Sequence, residues 1–522
     1  MKESAKPKSL LRSSVITGSM TMMSRITGLA RDQLQAYFLG AGSDADAFNA
    51  AFRIPNFFRR LFSEGAFAQA FIPVLSEYRT KGSHAALKQL IDRVAGCLGS
   101  TLILVTLLGV LGAPVLGAIF ASGFMDDPEK FDHYTSLIRI MFPYLMLISI
   151  SGFMGAILNS HDRFAVSAFT PVLLNIVSIF AMLVIAPLMG SVTYALAWSV
   201  LLAGVLSIVF QMPHLKRLQL LPSPKIDWQD PGVKRILALM APAIFGVSIS
   251  QINSLFDSIA ASWLPEGSIT WLYYSDRLVE LPLGIFAVAI GTVIMPSLSR
   301  LHASESAAEF SKTLDWAIRM IILIALPATL ALVILAKPVI FTLFQHGRFN
   351  PEDALMSSYS LQAYVLGLLA FMLIKVIAPG YFARHDMKTP VKIGMIAIGV
   401  GIAIKVAIVA PMNIYWQIGH VGLALATALA AYVNVVLLYR GLRKRGVYIP
   451  VANWPRIWLR YAIANLVMVL VLLVGLHYFN DWEEWGVVSR IIHLAILCLA
   501  GGLAYILGLA IAGFKTKDFR AP

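Results

Sequence analysis

Apolar stretches of about twenty residues or more follow one another along almost the entire chain, and this succession constrains the fold more than any other feature. A helix needs about 20 mostly apolar residues to cross a bilayer. With 58% apolar and 13% charged residues over 522 positions, against about 45–50% and 25% in soluble domains, there is too little polar surface for a water-soluble fold. Length alone would suggest three or four soluble domains at about 150 residues each, but sustained hydropathy overrides that prior. The expected fold class is all-α, a polytopic membrane protein. Cys97 and Cys498 each sit inside an apolar run, which excludes a disulfide framework and a CxxC zinc site.

Breaks of charge, Pro and Gly delimit fourteen spans, at 11–39, 44–76, 88–120, 134–158, 165–188, 192–213, 235–263, 268–298, 312–344, 354–382, 390–411, 420–440, 456–478 and 488–513. The first two are the least apolar, interrupted by Arg25, Arg31, Asp32, Arg53, Arg59 and Arg60. Alternate connections are strongly basic, among them Arg79, Lys81 and Lys88, then Lys216, Arg217, Lys225, Lys234 and Arg235, then Arg440, Arg443, Lys444 and Arg445. The loops between them are neutral or acidic, as at Asp126–Asp132. Cytoplasmic loops hold the excess of Lys and Arg, so both termini are expected in the cytoplasm. Arg25 and Arg31 interrupt what would be a signal-peptide core, and no A-x-A site follows.

Three landmarks recur at nearly constant spacing. Ile72-Pro73-Val74-Leu75-Ser76 matches Met295-Pro296-Ser297-Leu298-Ser299; Pro114-Val115 matches Pro338-Val339; His161-Asp162 matches His385-Asp386. The interval contains six crossings, an even number, so the copies share one orientation: two parallel six-helix repeats with a path between them. The expected division is 1–215 for an N-terminal lobe, 216–445 for a C-terminal lobe, and 446–522 for an extra helix pair without a copy.

Ionisable groups at membrane depth cost about 2.5–3.5 kcal/mol each on insertion scales and normally serve a function. Arg25 and Asp32 are two helical turns apart with Arg31 beside them; Asp46, Arg53 and Arg60 follow at intervals of seven, with Arg59 and Glu64 nearby. Arg277 stands at the repeat position of Arg53, flanked by Asp276 and Glu280. Such a set lines a cationic cavity if the lobes face each other, with Arg suited to bidentate bonding of phosphate or carboxylate. Asp32, Asp46, Asp276 and Glu280 can neutralise the arginines when no ligand is bound. The bland alternatives are salt bridges that only lock helices and, for Arg59, Arg60 and Glu64, snorkelling at a cytoplasmic end.

Asp257, Lys375 and Lys405 are lone candidates for ion or proton sites, the two lysines also being able to snorkel. His133, His346 and His420 are expected in outer loops at no ligand spacing. No P-loop, H-E-x-x-H or G-x-S-x-G motif marks an enzyme.

The segments Ser24-Arg25-Ile26-Thr27-Gly28-Leu29-Ala30-Arg31-Asp32, Asp46-Ala47-Phe48, Arg53-Ile54-Pro55-Asn56, Arg59 to Phe67, and Tyr273-Tyr274-Ser275-Asp276-Arg277-Leu278 strongly resemble the MurJ (MviN) family of bacterial lipid II flippases. The similarity runs nearly end to end, through Gly155 to Asn159 and Lys388-Thr389-Pro390. The resemblance implies fourteen helices within the multidrug/oligosaccharidyl-lipid/polysaccharide exporter superfamily, and transport of lipid-linked peptidoglycan precursor across the inner membrane. It implies that Arg25, Arg31, Arg59 and Arg277 are cavity arginines, with Asp46, Arg53, Asn56 and Glu280 at other motif positions and the extra helix pair as a groove for the polyprenyl tail. Some relatives hold sodium on the second lobe, where Asp257 would be one ligand; the Ala378–Ala383 stretch supplies no Asn or Asp partner.

The expected function is therefore alternating-access flipping of lipid II, without a cofactor and driven by membrane potential or an ion gradient. Expected partners are lipid II, membrane lipids and cell-wall synthesis proteins, with no nucleic acid. Competing readings are an exporter of another lipid-linked oligosaccharide, a drug/cation antiporter, disfavoured by the surplus of Arg over carboxylates, a membrane glycosyltransferase, which should show a clustered acidic catalytic motif in a loop, and a wall-synthesis scaffold, which should tolerate neutralised arginines.

Overall fold

The computed structural model describes residues 7–60, 67–450 and 453–514, and every regular element among them is helical. Among these residues ten helices are long and apolar enough to cross a membrane: His84–Leu111, Pro128–Ser160, Phe164–Met189, Val192–Arg217, Ala307–Ile334, Pro351–Phe382, Lys388–Trp416, Gly419–Lys444, Trp454–Tyr478 and Val487–Ile511. They coincide with ten of the expected spans. The other four, 11–39, 44–76, 235–263 and 268–298, are helical over their described residues but stand outside that set. Those four carry the ionisable residues assigned to the cavity.

The chain forms two compact units, Met1–Gly267 and Ser268–Pro522. The first contains α1 (Pro7–Leu39), α2 (Ser43–Phe58), α3 (Ala68–Lys81), α4 (His84–Leu111), α5 (Ala113–Phe120), α6 (Pro128–Met141), α7 (Tyr144–Ser160), α8 (Phe164–Phe180), α9 (Ala186–Met189), α10 (Val192–Arg217) and α11 (Pro231–Ser262). Here α1 packs along α8, α10 along α7 and α8, and α2 against α6, while α11 lies against α3. In its core Phe67 stacks on Phe71 and the Phe153 ring lies inclined to both, with ring centroids 5.1–6.1 Å apart. Proline interrupts α2 at Pro55, α3 at Pro73 and α8 at Pro171. Each removes a backbone donor, and such breaks are tolerated in membrane helices because neighbours re-satisfy the freed groups.

The connection from α10 to α11 is a strap pinned to α4. Asp92 accepts from Ser223 N at 2.7 Å, its carbonyl accepts from Lys225 N at 2.9 Å, and Arg93 pairs with Asp227 and Asp230. The strap crosses α4 at Gly96, where a side chain would collide with the Lys225 backbone.

The second unit contains α12 (Ser268–Pro282), α13 (Val288–Ala303), α14 (Ala307–Ile334), α15 (Ala336–Leu343), α16 (Pro351–Leu366), α17 (Leu368–Ile377), α18 (Pro379–Phe382), α19 (Lys388–Trp416), α20 (Gly419–Lys444), α21 (Trp454–Tyr478) and α22 (Val487–Ile511). α19 packs along α20, and α21 along α22. A Cβ on Gly508 would lie 2.6 Å from Ala464 Cα, so glycine permits the close approach of the last pair. This pair is fastened at both ends. Buried Asp315 of α14 accepts from Tyr448 Oη at 2.7 Å and Trp454 Nε1 at 3.1 Å, with Arg319 Nε 3.2 Å from its other oxygen. Buried Arg490 of α22 donates to the carbonyls of Phe341, Gln345 and Glu483 at 3.0–3.2 Å.

Helix lengths recur along the chain. α4 and α14 each have 28 residues, α5 and α15 have 8, and α10 and α20 have 26. A π-helical turn follows α2 at Arg59 and Arg60, and another follows α12 at Leu283–Ala287.

Candidate functional site

On α1 the polar residues have partners that fix their places. Asn175 of α8 donates to Ser24 O at 3.0 Å and Thr27 Oγ1 at 3.1 Å, with Gly28 leaving room for its amide. This ties α8 to the turn that carries half-buried Arg25. Two turns on, Arg31 and Asp32 are both buried and form an ion pair at 2.6 Å with a second contact at 3.1 Å. Their mutual neutralisation offsets much of the cost of burying either charge. Gln35 Nε2 then donates to Asn49 Oδ1 at 2.9 Å, joining α1 to α2 through two buried amides.

α2 buries one face, including Ala47, Phe48, Ala51 and Ile54, and leaves Arg53, Asn56 and Arg59 half-buried at three-residue spacing on another. Arg59 Nε donates to Asn56 Oδ1 at 3.2 Å, and Asn56 Nδ2 donates to Phe52 O at 2.9 Å, so Asn56 orients the arginine beyond it. Arg53 Nη1 donates to Ser258 Oγ of α11 at 3.2 Å. Asp257 accepts from Asn253 Nδ2 at 3.2 Å one residue before Ser258. Asp46, expected as a counter-ion, is buried and accepts from the Gly267 N–H at 2.8 Å, giving it a structural bond at the end of the unit. Arg60 is exposed, and Glu64 lies outside the described residues.

In the second unit α12 has two contrasting faces. Trp271, Tyr274, Ser275 and Leu278 are buried. Trp271 Nε1 donates to Asp353 at 3.1 Å, Ser275 Oγ donates to Ser357 O of α16 at 2.8 Å, and the Tyr274 ring stacks on Phe344. The opposite face presents Tyr273, Asp276, Arg277 and Glu280, with Asp276 exposed. Arg277 lies over the Tyr273 ring at 5.3 Å, donates to its hydroxyl at 3.3–3.4 Å, and meets Glu280 Oε2 at 3.5 Å. Its side chain keeps 39% of its surface accessible, so the guanidinium is oriented yet open to a ligand.

Within their own units, Arg25, Arg53 and Arg59, and separately Arg277, are thus positioned donors with accessible surface. Guanidinium forks of this kind suit the oxygens of phosphates and carboxylates.

The sequence reading overlooked Gln35, Asn49, Asn175 and Ser258, the buried ionic residues Asp315 and Arg490, and the half-buried Arg319 that pairs with Asp315. An Asn or Gln inside an apolar helix was the available signal, since such side chains bond across helices in membranes. Three expectations need correction. His133 lies within α6 and His420 within the first turn of α20, because both helices start earlier than the loop charges suggested. Lys405 is only 1% exposed, held within the second unit and not snorkelling.

The profile of the family described as "Lipid II flippase MurJ" matches residues 35–496. The chain is 46% identical over 521 residues to the "Probable lipid II flippase MurJ" of Vibrio cholerae serotype O1, covering 98% of each chain. It is 39% identical over 523 residues to the "Lipid II flippase MurJ" of Burkholderia cenocepacia, covering 98% of this chain and 99% of that one. A solved structure described as "Lipid II flippase MurJ, inward closed conformation" superposes with a TM-score of 0.77 at 26% identity, covering 95% of this chain and 98% of the other. An inward-facing multidrug resistance MATE family transporter superposes at 0.66 with 15% identity, covering 83% and 97%, a likeness of fold alone.

Proposed function

The chain belongs to the MurJ family, and from that membership we propose that it is a transporter that flips lipid II from the cytoplasmic to the periplasmic leaflet of the bacterial inner membrane. The observation that carries this reading is the near end-to-end match to relatives named as lipid II flippases. The open-faced arginines supply the chemistry such a substrate needs: an anionic diphosphate head requires cationic donors, and its long apolar tail can remain in the bilayer.

In this reading the chain crosses the membrane fourteen times, as two six-helix lobes (1–215 and 216–445) and an extra pair (446–522), with both termini cytoplasmic. The recurrence of helix lengths 28, 8 and 26 supports two copies of one plan. So does the π-helical turn after both α2 and α12. Arg53 and Arg277 then hold equivalent positions, and the lobes face each other across a cationic cavity.

Arg25, Arg53, Arg59 and Arg277 bind the diphosphate; Asn56, Glu280 and Tyr273 hold two of these arginines in place. Arg31, Asp32 and Asp46 set the helices that carry them, with Arg60, Glu64 and Asp276 at the margin. Rocking of the lobes exposes the head to the opposite side while the tail follows in lipid. A potential negative inside favours outward movement of an anion by about 2.3 kcal/mol per charge per 100 mV. Two charges on the substrate gain roughly 4–5 kcal/mol at most.

The test is reconstitution. Purified protein in liposomes should bring labelled lipid II to the opposite leaflet, while Arg59→Ala and Arg277→Ala proteins should not. Wild-type flipping by both variants would remove the arginines from the mechanism.

A further inference from the structure

The first unit encloses a cavity that the transport chemistry does not use. It measures about 260 Å³ and lies between α4, α7 and α11. Its walls are Val94, Cys97, Thr101 and Val105 along α4, and Val233, Met240 and Ile244 along α11. Eleven residues separate the first and last wall positions on each helix, so it runs about 16 Å along the helices. It is elongated and apolar.

Its one unsatisfied polar group is Ser149 Oγ of α7, on a side chain 3% exposed and without a hydrogen-bond partner. Thr101, the other hydroxyl in the wall, is satisfied by the Cys97 carbonyl at 2.9 Å. A buried water needs two to four polar partners, which this lining does not offer. An apolar void of about 150 Å³ already binds benzene or xenon, and an empty one of this size would forfeit the dispersion contacts of its whole lining.

The mouth is marked by wall residues that reach the surface, Trp228 at 42% and Leu237 at 43% exposure. Ile226 beside them is 65% exposed, and the exposed cations Lys225 and Lys234 flank this apolar rim in the chain. Trp together with Lys is the pattern of the membrane–water interface. Other residues of α4, Leu104, Leu107 and Leu108, are more than half exposed, as expected where acyl chains pack on a helix.

We propose that this cavity is a binding site for one acyl chain of a cytoplasmic-leaflet phospholipid, whose phosphate sits at the mouth against Lys225 and Lys234. The Ser149 hydroxyl donates to the ester carbonyl of that chain. A lipid seated there wedges α11 against α4 and α7, and so bears on the helix whose Ser258 meets Arg53. The proposal rests on the membrane embedding and orientation given above, and not on the identity of the transported substrate.

Native mass spectrometry of the full-length protein, released from bilayers of phosphatidylethanolamine and phosphatidylglycerol, tests it. Wild type should retain one tightly held phospholipid; Ser149→Phe, which fills the cavity, should retain one fewer. Because Ser149→Phe can misfold, Ser149→Ala is measured beside it and should weaken retention while eluting as a folded monodisperse species. In a Cys498→Ala background, leaving Cys97 as the sole thiol, added phospholipid should slow labelling by an apolar maleimide roughly tenfold. Equal retention in Ser149→Phe and wild type, labelling of Cys97 indifferent to phospholipid, or protection by polyprenyl phosphate alone would each overturn the assignment. Lipid II flipping by the Arg59→Ala and Arg277→Ala proteins is read separately, so either proposal can fail without the other.

Discussion

At the scale of single residues, the arginines differ in what their removal should do. Arg277 meets Tyr273 and Glu280 on its own helix and keeps much of its surface accessible. With 39% of its side chain accessible, its exposed pair with Glu280 contributes little to folding, and Arg277→Ala should leave thermal stability nearly unchanged. Hydrogen bonds to charged groups are worth about 1.5–3 kcal/mol, so substrate binding in a lipid II titration should fall about tenfold or more. A large drop in melting temperature would mean that Arg277 is a helix lock and not a donor. Asp386 offers a contrasting case in the loop before α19. The hydroxyl and N–H of Thr389 hold its carboxyl below the ordinary range, with Arg445 adding to the effect. A depressed carboxylate contributes stability above its unfolded pKa and loses it as pH falls through the folded value. Asp386→Asn should thus melt lower than wild type at pH 7, with the gap closing below about pH 4. A gap that persisted in acid would assign the effect to packing.

At the scale of elements, the ten strongly apolar helices are legible because hydropathy over some twenty residues is a physical requirement of the bilayer. The helices bearing Arg25, Arg53 and Arg277 were legible through the charge pattern of loops and motifs. What was not legible is how helices are fastened. Asp315 and Arg319 sit one turn apart in the first half of α14, after Glu309 and Lys312, and look like interfacial charge. Only folding brings Tyr448 of the α20–α21 connection and Trp454 at the start of α21 onto Asp315. Likewise Arg490 reads as a first-turn cation, yet it satisfies carbonyls at the end of α15. Removing one partner of a buried ion pair costs about 3–5 kcal/mol, and each hydrogen bond from a charged group such as Arg490 is worth about 1.5–3 kcal/mol. Asp315→Asn and Arg490→Met should each loosen α21 and α22, seen as faster hydrogen exchange in those helices than elsewhere. Exchange spread evenly over the second unit would show that the pair is not separately fastened. Asn175→Leu should act through α1 in the same way: it frees the turn around Arg25, and flipping should fall although no arginine is altered.

At the scale of the whole molecule, the chain's balance of +14 has two components. In the proposed topology loop cations set orientation, and the smaller group on α1, α2 and α12 lies at membrane depth, where charge is expensive. A substrate carrying two negative charges moves through the field while arginines fixed to the helices stay behind. Flipping should then accelerate when the side of the basic loops is made negative, and slow when the polarity is reversed. The bound for two charges at 100 mV, about 4–5 kcal/mol, allows up to three orders of magnitude; partial movement of the arginines with the substrate shrinks the dependence. Proteoliposomes with potassium gradients and valinomycin set the polarity, and extraction of labelled lipid II from the outer leaflet gives the rate. Sodium and proton gradients imposed at zero potential separate the alternatives. If the rate follows sodium and ignores polarity, the drive is an ion site, and Asp257 beside Ser258 on α11 is the first residue to neutralise. If it follows polarity alone, the charge that moves is the substrate's own.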